Sequence, residues 1–454
     1  MTEFRAIDPA TGRPLGDRPE ANVADLEAAL NTADLAFARW SRVPLPDRAA
    51  GLRRLAAALR ARIEPDAALM AQEMGKPVTQ GRAEIEKCAK GLEVAADRAT
   101  EWLAPDPVQT EASRCYVRHE PLGPILAIMP WNFPYWQLFR FAASGLAAGN
   151  PVILKHAPNV PGCADAIAEI FAEAGLPDLL VNVRARVDQI EALIADRRVA
   201  GVTLTGSTRA GKAVAAICGK YLKPSVLELG GSDPFVVLED ADLDAAAEIG
   251  ARARLQNNGQ SCIASKRFIV VESVAAAFAE RMAARIGAAR VGDPADPATD
   301  VGPLAREDLR DELARQVRES VAKGARVAVG GEIPARDGWW YPPTLLTGCG
   351  PGMPVWDEET FGPAAAIRTV PDADAAIAAA NASIYGLGAT VFTRDADRGA
   401  AVAARLEAGA VFVNDMVRSD PRFPFGGVKE SGWGRELGRE GMRAFTVTKT
   451  VWIR

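Results

Sequence analysis

The sequence predicts an α/β protein built from two α/β units and a small β element, and three observations lead there. Between residues 125 and 229 short apolar runs alternate with helical runs, the pattern of βαβ units around a parallel sheet. A second alternating block spans residues 241–414. Two further β-like stretches, residues 113–120 and 446–453, stand outside both blocks and could pair with one another in an oligomer contact.

Residues 22–102 are rich in Ala, Leu, Arg and Glu and are expected to be mostly helical. Pro105-Asp106-Pro107 ends that run, and Pro121-Leu122-Gly123-Pro124 closes the 113–120 strand. In the first alternating block strands are expected at 125–129, 151–155, 181–183, 201–205 and 225–229, with helices at 133–146, 162–174, 187–195 and 210–221. In the second, helices are expected at 241–254, 274–287, 308–323 and 396–406, and strands at 267–271, 326–329, 389–393 and 410–414. β-Branched residues on alternate positions mark 446–453 as the last strand.

A chain of 454 residues should hold two or three compact units, and 48% hydrophobic with 24% charged residues is enough apolar material for a sizeable core. The net charge of −5 has no basic stripe of the kind that binds nucleic acid. Apolar stretches are short and broken by Gly, Pro or charge, so no membrane span is expected, and Met1–Pro9 has no signal-like pattern. The six cysteines are scattered, without C-x-x-C or a metal-ligand rhythm; no metal is expected, and free thiols fit a cytoplasmic location. Only two histidines exist, His119 and His156, so a histidine-dependent relay or zinc site would have to use one of them. If Cys262 is a nucleophile, its base is then expected to be a carboxylate.

Four segments carry candidate chemistry. Asn257-Asn258-Gly259-Gln260-Ser261-Cys262 presents a cysteine on a polar loop, where backbone N–H groups can favour a thiolate; a buried inert thiol is the alternative. Val226-Leu227-Glu228-Leu229-Gly230-Gly231 puts one acid in an apolar strand end, where its pKa must rise or a partner must be found; it is either a general base or a structural cap. Met129-Pro130-Trp131-Asn132-Phe133-Pro134 offers an amide that could donate to an oxyanion or merely cap a helix. Gly201–Thr205 followed by Gly206-Ser207 turns a strand into a helix, the geometry that holds phosphate on helix N-terminal amides, although it lacks G-x-G-x-x-G and could be an ordinary turn.

Together these segments resemble the aldehyde dehydrogenase superfamily in order and in approximate spacing. Glu73-Met74-Gly75-Lys76-Pro77, Val152-Ile153-Leu154-Lys155, Glu359-Thr360-Phe361-Gly362-Pro363 and Pro424-Phe425-Gly426-Gly427-Val428-Lys429 with Ser431-Gly432 extend the resemblance from about residue 6 to the end. Within the superfamily the chain is most similar to the short succinate-semialdehyde dehydrogenases, through Lys155-His156-Ala157-Pro158-Asn159-Val160, Glu228 to Phe235, and Ser419-Asp420-Pro421-Arg422.

The resemblance implies a Rossmann-like NAD(P)-binding domain from residues 1–107 and 122–230, an α/β catalytic domain at 231–434, and a β oligomerisation element from 108–121 and 435–454, in a homodimer or homotetramer. It makes Cys262 the nucleophile that forms a thioester, Glu228 the base for its hydrolysis, and Asn132 with the Cys262 N–H the oxyanion hole. Lys155 and Glu359 would bind the riboses, Trp131, Gly206 and Ser207 with Gly211 the pyrophosphate, and Phe361 the nicotinamide. Pro158 stands where NAD-preferring relatives often carry Glu, so the cofactor is NADP or NAD. A semialdehyde carries a distal carboxylate. Arg140, eight positions beyond Asn132 and so two turns along a shared helix, is expected to anchor it, a surface salt bridge being the alternative. Ser419 would help, Trp136, Phe425 and Ser261 would shape the pocket, and Arg418 would lie nearby. Ala264 occupies the place of a second cysteine found in longer relatives, so no redox disulfide is expected beside Cys262. Other readings are a dehydrogenase for glutarate semialdehyde or aliphatic aldehydes, a CoA-acylating enzyme, and a non-enzymatic scaffold. Glu228 favours water over CoA, and the intact Cys262, Glu228 and Asn132 argue against a scaffold.

Overall fold

Helix-forming composition and an apolar stripe organise the N-terminal part of the chain, whose computed structural model describes residues 4–454; the first three residues of the expected N-terminal unit lie outside the described residues. Four helices run over Val23–Trp40, Leu45–Ala61, Ile63–Met74 and Val78–Trp102. Asn22 and Asp25 form a reciprocal capping box at the start of the first. Gly75 ends the third at φ 73°, and a Cβ there would lie 2.6 Å from the Pro303 carbonyl oxygen, so the position needs glycine. The fourth helix buries Ile85, Cys88, Ala89 and Leu92 against its neighbours and turns Lys87 toward a cleft.

The first alternating block forms a six-stranded sheet in the order Gly432–Trp433, Ser225–Glu228, Gly201–Thr205, Ile125–Ile128, Val152–Lys155, Leu180–Asn182. All neighbours are parallel except Gly432–Trp433, which pairs antiparallel through Gly432↔Glu228. The central strands are almost wholly buried, which explains why they read as continuous apolar runs rather than alternating ones. The second block forms a seven-stranded sheet in the order Arg326–Val329, Thr344–Thr347, Ala364–Val370, Ser265–Val271, Asp233–Val237, Gly388–Phe392, Ala410–Val413; only its first strand is antiparallel. The two outlying β segments pair with each other within the chain, from Thr446↔Pro121 to Ile453↔Arg114, and Asp106–Pro107 completes that sheet.

Several elements depart from expectation. The helix expected at 133–146 starts only at Trp136, because Pro130 and Pro134 keep the preceding residues in a turn, so Asn132 is not on it. The 187–195 helix splits into a 3-10 turn and Ile190–Ala195. The hairpin Arg5–Asp8 with Arg13–Asp17 is additional to the expected elements, as are the strands Asp233–Val237, Thr344–Thr347 and Ala364–Val370 and the helix Ala373–Asn381. Among the described residues no helix is long and apolar enough to cross a membrane.

One buried side chain joins the C-terminal strand to the six-stranded sheet. Asn150, fully buried, accepts from the Gly123 N–H at 3.0 Å and donates to the Phe445 carbonyl at 2.8 Å. Asn150→Ala strands both groups and should cost about 2–4 kcal/mol. Urea unfolding should show a lower midpoint with an unchanged m-value; an unchanged midpoint would mean that the link carries no stability.

Candidate active site

The helix Leu243–Leu255 ends at a turn whose backbone is left-handed for three residues: Asn257 at φ 57°, Asn258 at φ 58° and Gly259 at φ 74°. Side-chain amides hold it. Asn257 Nδ2 donates to the Asn132 carbonyl at 2.7 Å and the Gln260 carbonyl at 3.0 Å, and Asn132 Nδ2 donates to the same Gln260 oxygen at 3.1 Å. Asn132 and the cysteine loop are thereby locked together. Lys266, on the strand Ser265–Val271, closes the loop from behind by donating to the Ser261 and Cys262 carbonyls at 3.0 and 2.7 Å. Cys262 is half-buried, whereas the other five cysteines are buried, and all six are free. Burial pushes the Cys262 thiol up to about 12, although Arg140 and Lys266 pull it down.

Glu228 sits at the end of Ser225–Glu228, one strand from the Gly206 turn, whose N–H donates to the Glu228 carbonyl at 3.0 Å. Three residues on, Gly231 lies so close to the cysteine loop that a Cβ would be 2.6 Å from the Cys262 carbonyl oxygen. The glycine pair therefore brings acid and thiol segments into contact. Both carboxylate oxygens of Glu228 are buried without a hydrogen-bond partner, and burial raises its pKa well above the ordinary carboxylate value. Gly426 leaves space beside it: a Cβ there would lie 2.8 Å from Glu228 Oε1.

The spacing argument for Arg140 does not hold. Arg140 lies on Trp136–Ala148, but Asn132 lies outside that helix, so the two-turn argument fails. Its guanidinium is buried, paired through Nε with Glu436, bonded through Nη2 to Thr205 at 3.1 Å, and stacked 4.7 Å from the Phe425 ring centroid. Glu436 in turn accepts from Thr203 at 3.0 Å. Arg140 is thus held by a buried internal partner, a salt bridge in a buried rather than a surface form.

On the cofactor side Lys155 is buried at the end of Val152–Lys155, and His156 beside it is neutral, since burial lowers it to about 4. Ser207 caps the helix Thr208–Lys220 by accepting from the Ala210 N–H at 3.3 Å, and Gly206 is partly exposed at the turn. Gly211 is buried against Leu229, where any Cβ would collide, so the glycine lets the helix pack closely on the sheet. Glu359 accepts from the Gly231 N–H at 3.0 Å and lies 3.5 Å from Lys266. Phe361 meets Trp131 edge-on at 5.7 Å. Past the partly exposed Pro158, both polar side-chain atoms of Asn159 are buried without partners.

Of the expected pocket residues, Trp136, Ser261, Ser419 and Phe425 are all buried. Trp136 Nε1 donates to Ser419 Oγ at 2.9 Å. Ser419, Arg418, Leu255 and Gln256 line a cleft of about 890 Å³ beside the start of the cysteine loop, and Arg418 is held there by Asp415 at 2.6 Å. The same cleft takes Lys87, which no motif in the sequence marks; its Nζ donates to Ser419 Oγ at 2.8 Å.

This electrostatic layout has two measurable outcomes. A thiol raised to about 12 should be alkylated by iodoacetamide at a rate that climbs about tenfold per pH unit from about pH 7 to about pH 9 without levelling, with Cys262→Ala abolishing the fast label. Levelling near about pH 8.5 would reveal an ordinary thiol. Arg140→Met leaves Glu436 buried without its cation and should destabilise the fold by about 3–5 kcal/mol, with part of the loss recovered in the Arg140→Met, Glu436→Gln double variant. A single variant as stable as the parent would show that the pair does not hold the site.

Comparison with known proteins identifies the family. The aldehyde dehydrogenase family pattern matches residues 1–451. The succinate semialdehyde dehydrogenase [NAD(P)+] Sad of Escherichia coli K12 is 48% identical over 99% of this chain and 98% of its own length. A probable succinate-semialdehyde dehydrogenase [NADP(+)] of Synechocystis is 47% identical over 98% of this chain and 99% of its own. The crystal structure of succinic semialdehyde dehydrogenase from Streptococcus pyogenes in complex with NADP+ superposes with a TM-score of 0.97 at 37% identity, over 99% of both chains. A match of this extent, in sequence and in fold, makes the chain a member of the aldehyde dehydrogenase family.

Proposed function

We propose that this chain oxidises succinate semialdehyde to succinate with NADP or NAD, through a thioester on Cys262. The observation that carries the reading is the half-buried Cys262 thiol held on one loop with Asn132, with an unpartnered Glu228 carboxylate on the adjoining strand end, in a chain whose full-length relatives bear that name.

The residues around the dinucleotide fit such a cofactor. The Gly206-Ser207 turn opens onto the N-terminus of Thr208–Lys220, Gly211 lets that helix close on the sheet, and the unpartnered Asn159 amide supplies polar atoms beside Pro158. Lys155, Glu359, Trp131, Gly206, Ser207 and Phe361 would hold it. No carboxylate stands at Pro158 to repel a 2′-phosphate, which favours tolerance of NADP.

The Cys262 thiolate adds to the aldehyde carbon, forming a C–S bond as the carbonyl electron pair moves to oxygen. Asn132 Nδ2 and the Cys262 N–H donate to that oxygen, each worth roughly 3–4 kcal/mol in the transition state. A bound nicotinamide supplies the acceptor for the hydride that this carbon releases. The acyl group then stays on sulfur as a thioester. Glu228 takes a proton from water, the hydroxide adds to the acyl carbon, and the C–S bond breaks to return the thiolate and a carboxylate. Its raised pKa makes the ionised form a stronger base than an exposed glutamate.

The division of the chain at residues 107, 122, 230 and 434 into cofactor, catalytic and oligomerisation parts is part of the same reading. Exposed Val447, Trp452 and Ile453 on the last strand support a homodimer or homotetramer contact there, and the free cysteines suit a cytoplasmic enzyme.

Glu228→Gln separates the two halves of the reaction. With succinate semialdehyde it should give one equivalent of NADPH per site in a rapid burst, followed by turnover about 10²–10⁴-fold slower than the parent. Absence of the burst with undiminished turnover would remove Glu228 as the base. A parent enzyme with equal kcat/KM for succinate semialdehyde and butanal would remove the substrate assignment.

A further inference from the structure

In the thioester reading the oxyanion has two donors, and their supports differ. Asn132 Nδ2 has two hydrogens, one of which is spent on the Gln260 carbonyl, so an ordinary hydrogen bond aims the side chain. The other donor is the Cys262 N–H, and the carbonyl at the opposite end of its peptide group belongs to Ser261. We propose that Lys266 is a positioning residue that fixes and polarises this peptide group, making the Cys262 N–H a stronger donor to the oxyanion. The inference rests on the thioester reading above and assigns a role to a residue outside the catalytic set.

Lys266 lies on the Ser265–Val271 strand and is fully buried. An ammonium has three N–H donors, and here all of them point at the protein itself. One goes to the Ser261 carbonyl at 3.0 Å and one to the Cys262 carbonyl at 2.7 Å, while Glu359 Oε1 lies 3.5 Å away. Burial disfavours the charge, and Glu359 and Asp233 oppose that. The peptide planes before and after the Cys262 Cα are thus held by one cation. Neither can rotate without breaking a charge-assisted hydrogen bond, so the direction of the Cys262 N–H is fixed along with the path of the thiol.

Polarisation follows from the same contacts. The Ser261 carbonyl also accepts from the Ala264 N–H at 3.2 Å, so both of its lone pairs are used. Electron density drawn to that oxygen leaves the nitrogen end of the amide, and linked hydrogen bonds strengthen one another by roughly 10–30% per bond. The bond from Lys266 is charged, which makes it roughly twice as strong as a neutral one. Arg254 offers a contrast. It donates to the Gly259 carbonyl, whose peptide N–H belongs to Gln260 and is spent on the Asn257 carbonyl at 2.9 Å, so Arg254 shapes the loop without reaching the oxyanion.

The test separates the oxyanion from the thiol. Alkylation of Cys262 by iodoacetamide consumes the thiolate and forms no oxyanion, whereas oxidation of an aldehyde requires both. Lys266→Met removes one positive charge near sulfur and should slow alkylation at about pH 8 by about 3–10-fold. With saturating NADP and succinate semialdehyde it should slow single-turnover NADPH formation about tenfold beyond that. The same excess is expected with butanal, because every aldehyde forms the alkoxide, so the comparison stands apart from the substrate assignment. Lys266→Arg keeps a cation with several donors and should shrink the excess to below about threefold. Lys266→Gln keeps a neutral N–H donor, serves where Lys266→Met does not fold, and should retain an excess of about threefold or more. Equal losses in alkylation and oxidation would confine Lys266 to the thiol and the fold, and would overturn the proposal. If Glu228→Gln gives no burst, the thioester reading fails; if the burst appears and the excess is absent, only the present inference fails.

Discussion

Asn257, Asn258 and Gly259 form a left-handed turn, a conformation that costs an ordinary L-residue roughly 1–2 kcal/mol per position. Asparagine tolerates it best, and here each amide works to keep it. Asn257 reaches the Asn132 carbonyl, while Asn258 donates to the Gly75 and Pro303 carbonyls and accepts from the Gly302 N–H. Gly259 has no alternative, because a Cβ would run into the Gly362–Pro363 backbone. One turn thus ties the thiol loop to the end of the third helix, to the segment after Asp300, and to the segment that carries Phe361. Asn132 and the Cys262 loop are held as a unit because the same Gln260 oxygen accepts from both Asn132 and Asn257.

Around that turn lies a set of buried charges whose differing partners separate their roles. Glu436 is satisfied by Arg140 and Thr203, and Asp233 accepts from the Gly388 N–H while its second oxygen is unpartnered. Glu228 has no hydrogen-bond partner on either oxygen. A low-dielectric interior makes such an unpaired carboxyl expensive, and a fold keeps one only where the neutral acid or an incoming donor is useful. Fixed by Glu436, the Arg140 charge lowers both Cys262 and Glu228. Lys266 does the same for the thiol from the opposite side while holding the loop carbonyls.

The parts of this arrangement that are legible in the sequence are those encoded locally. Apolar runs bounded by glycine mark the central strands nearly to the residue, as at Gly201–Thr205, and β-branched alternation does the same for Thr446–Ile453. Alanine-rich Ala364–Val370 is hidden because alanine favours helix, and burial between two strands overrides that preference. The spacing from Asn132 to Arg140 is misleading because helical periodicity does not extend across the two prolines that hold Asn132 in a turn. Gly211 is close to the phosphate turn in sequence, whereas the helix turns it inward onto Leu229. Lys87 is invisible for a different reason. Its partner Ser419 is 332 positions away, and nothing in a long charged helix distinguishes the one lysine that meets a buried hydroxyl.

The raised thiol pKa sets the protonation of Cys262. A thiol near 12 is almost wholly protonated at neutral pH, and the protonated form reacts slowly with oxidants and electrophiles. Ala264, buried where a second cysteine could have stood, removes the route by which a sulfenic acid would be captured as a disulfide with its neighbour. Burial disfavours the thiolate. Arg140 and Lys266 oppose that effect, and both are fixed by internal partners, so the positive field at sulfur does not depend on what occupies the cleft.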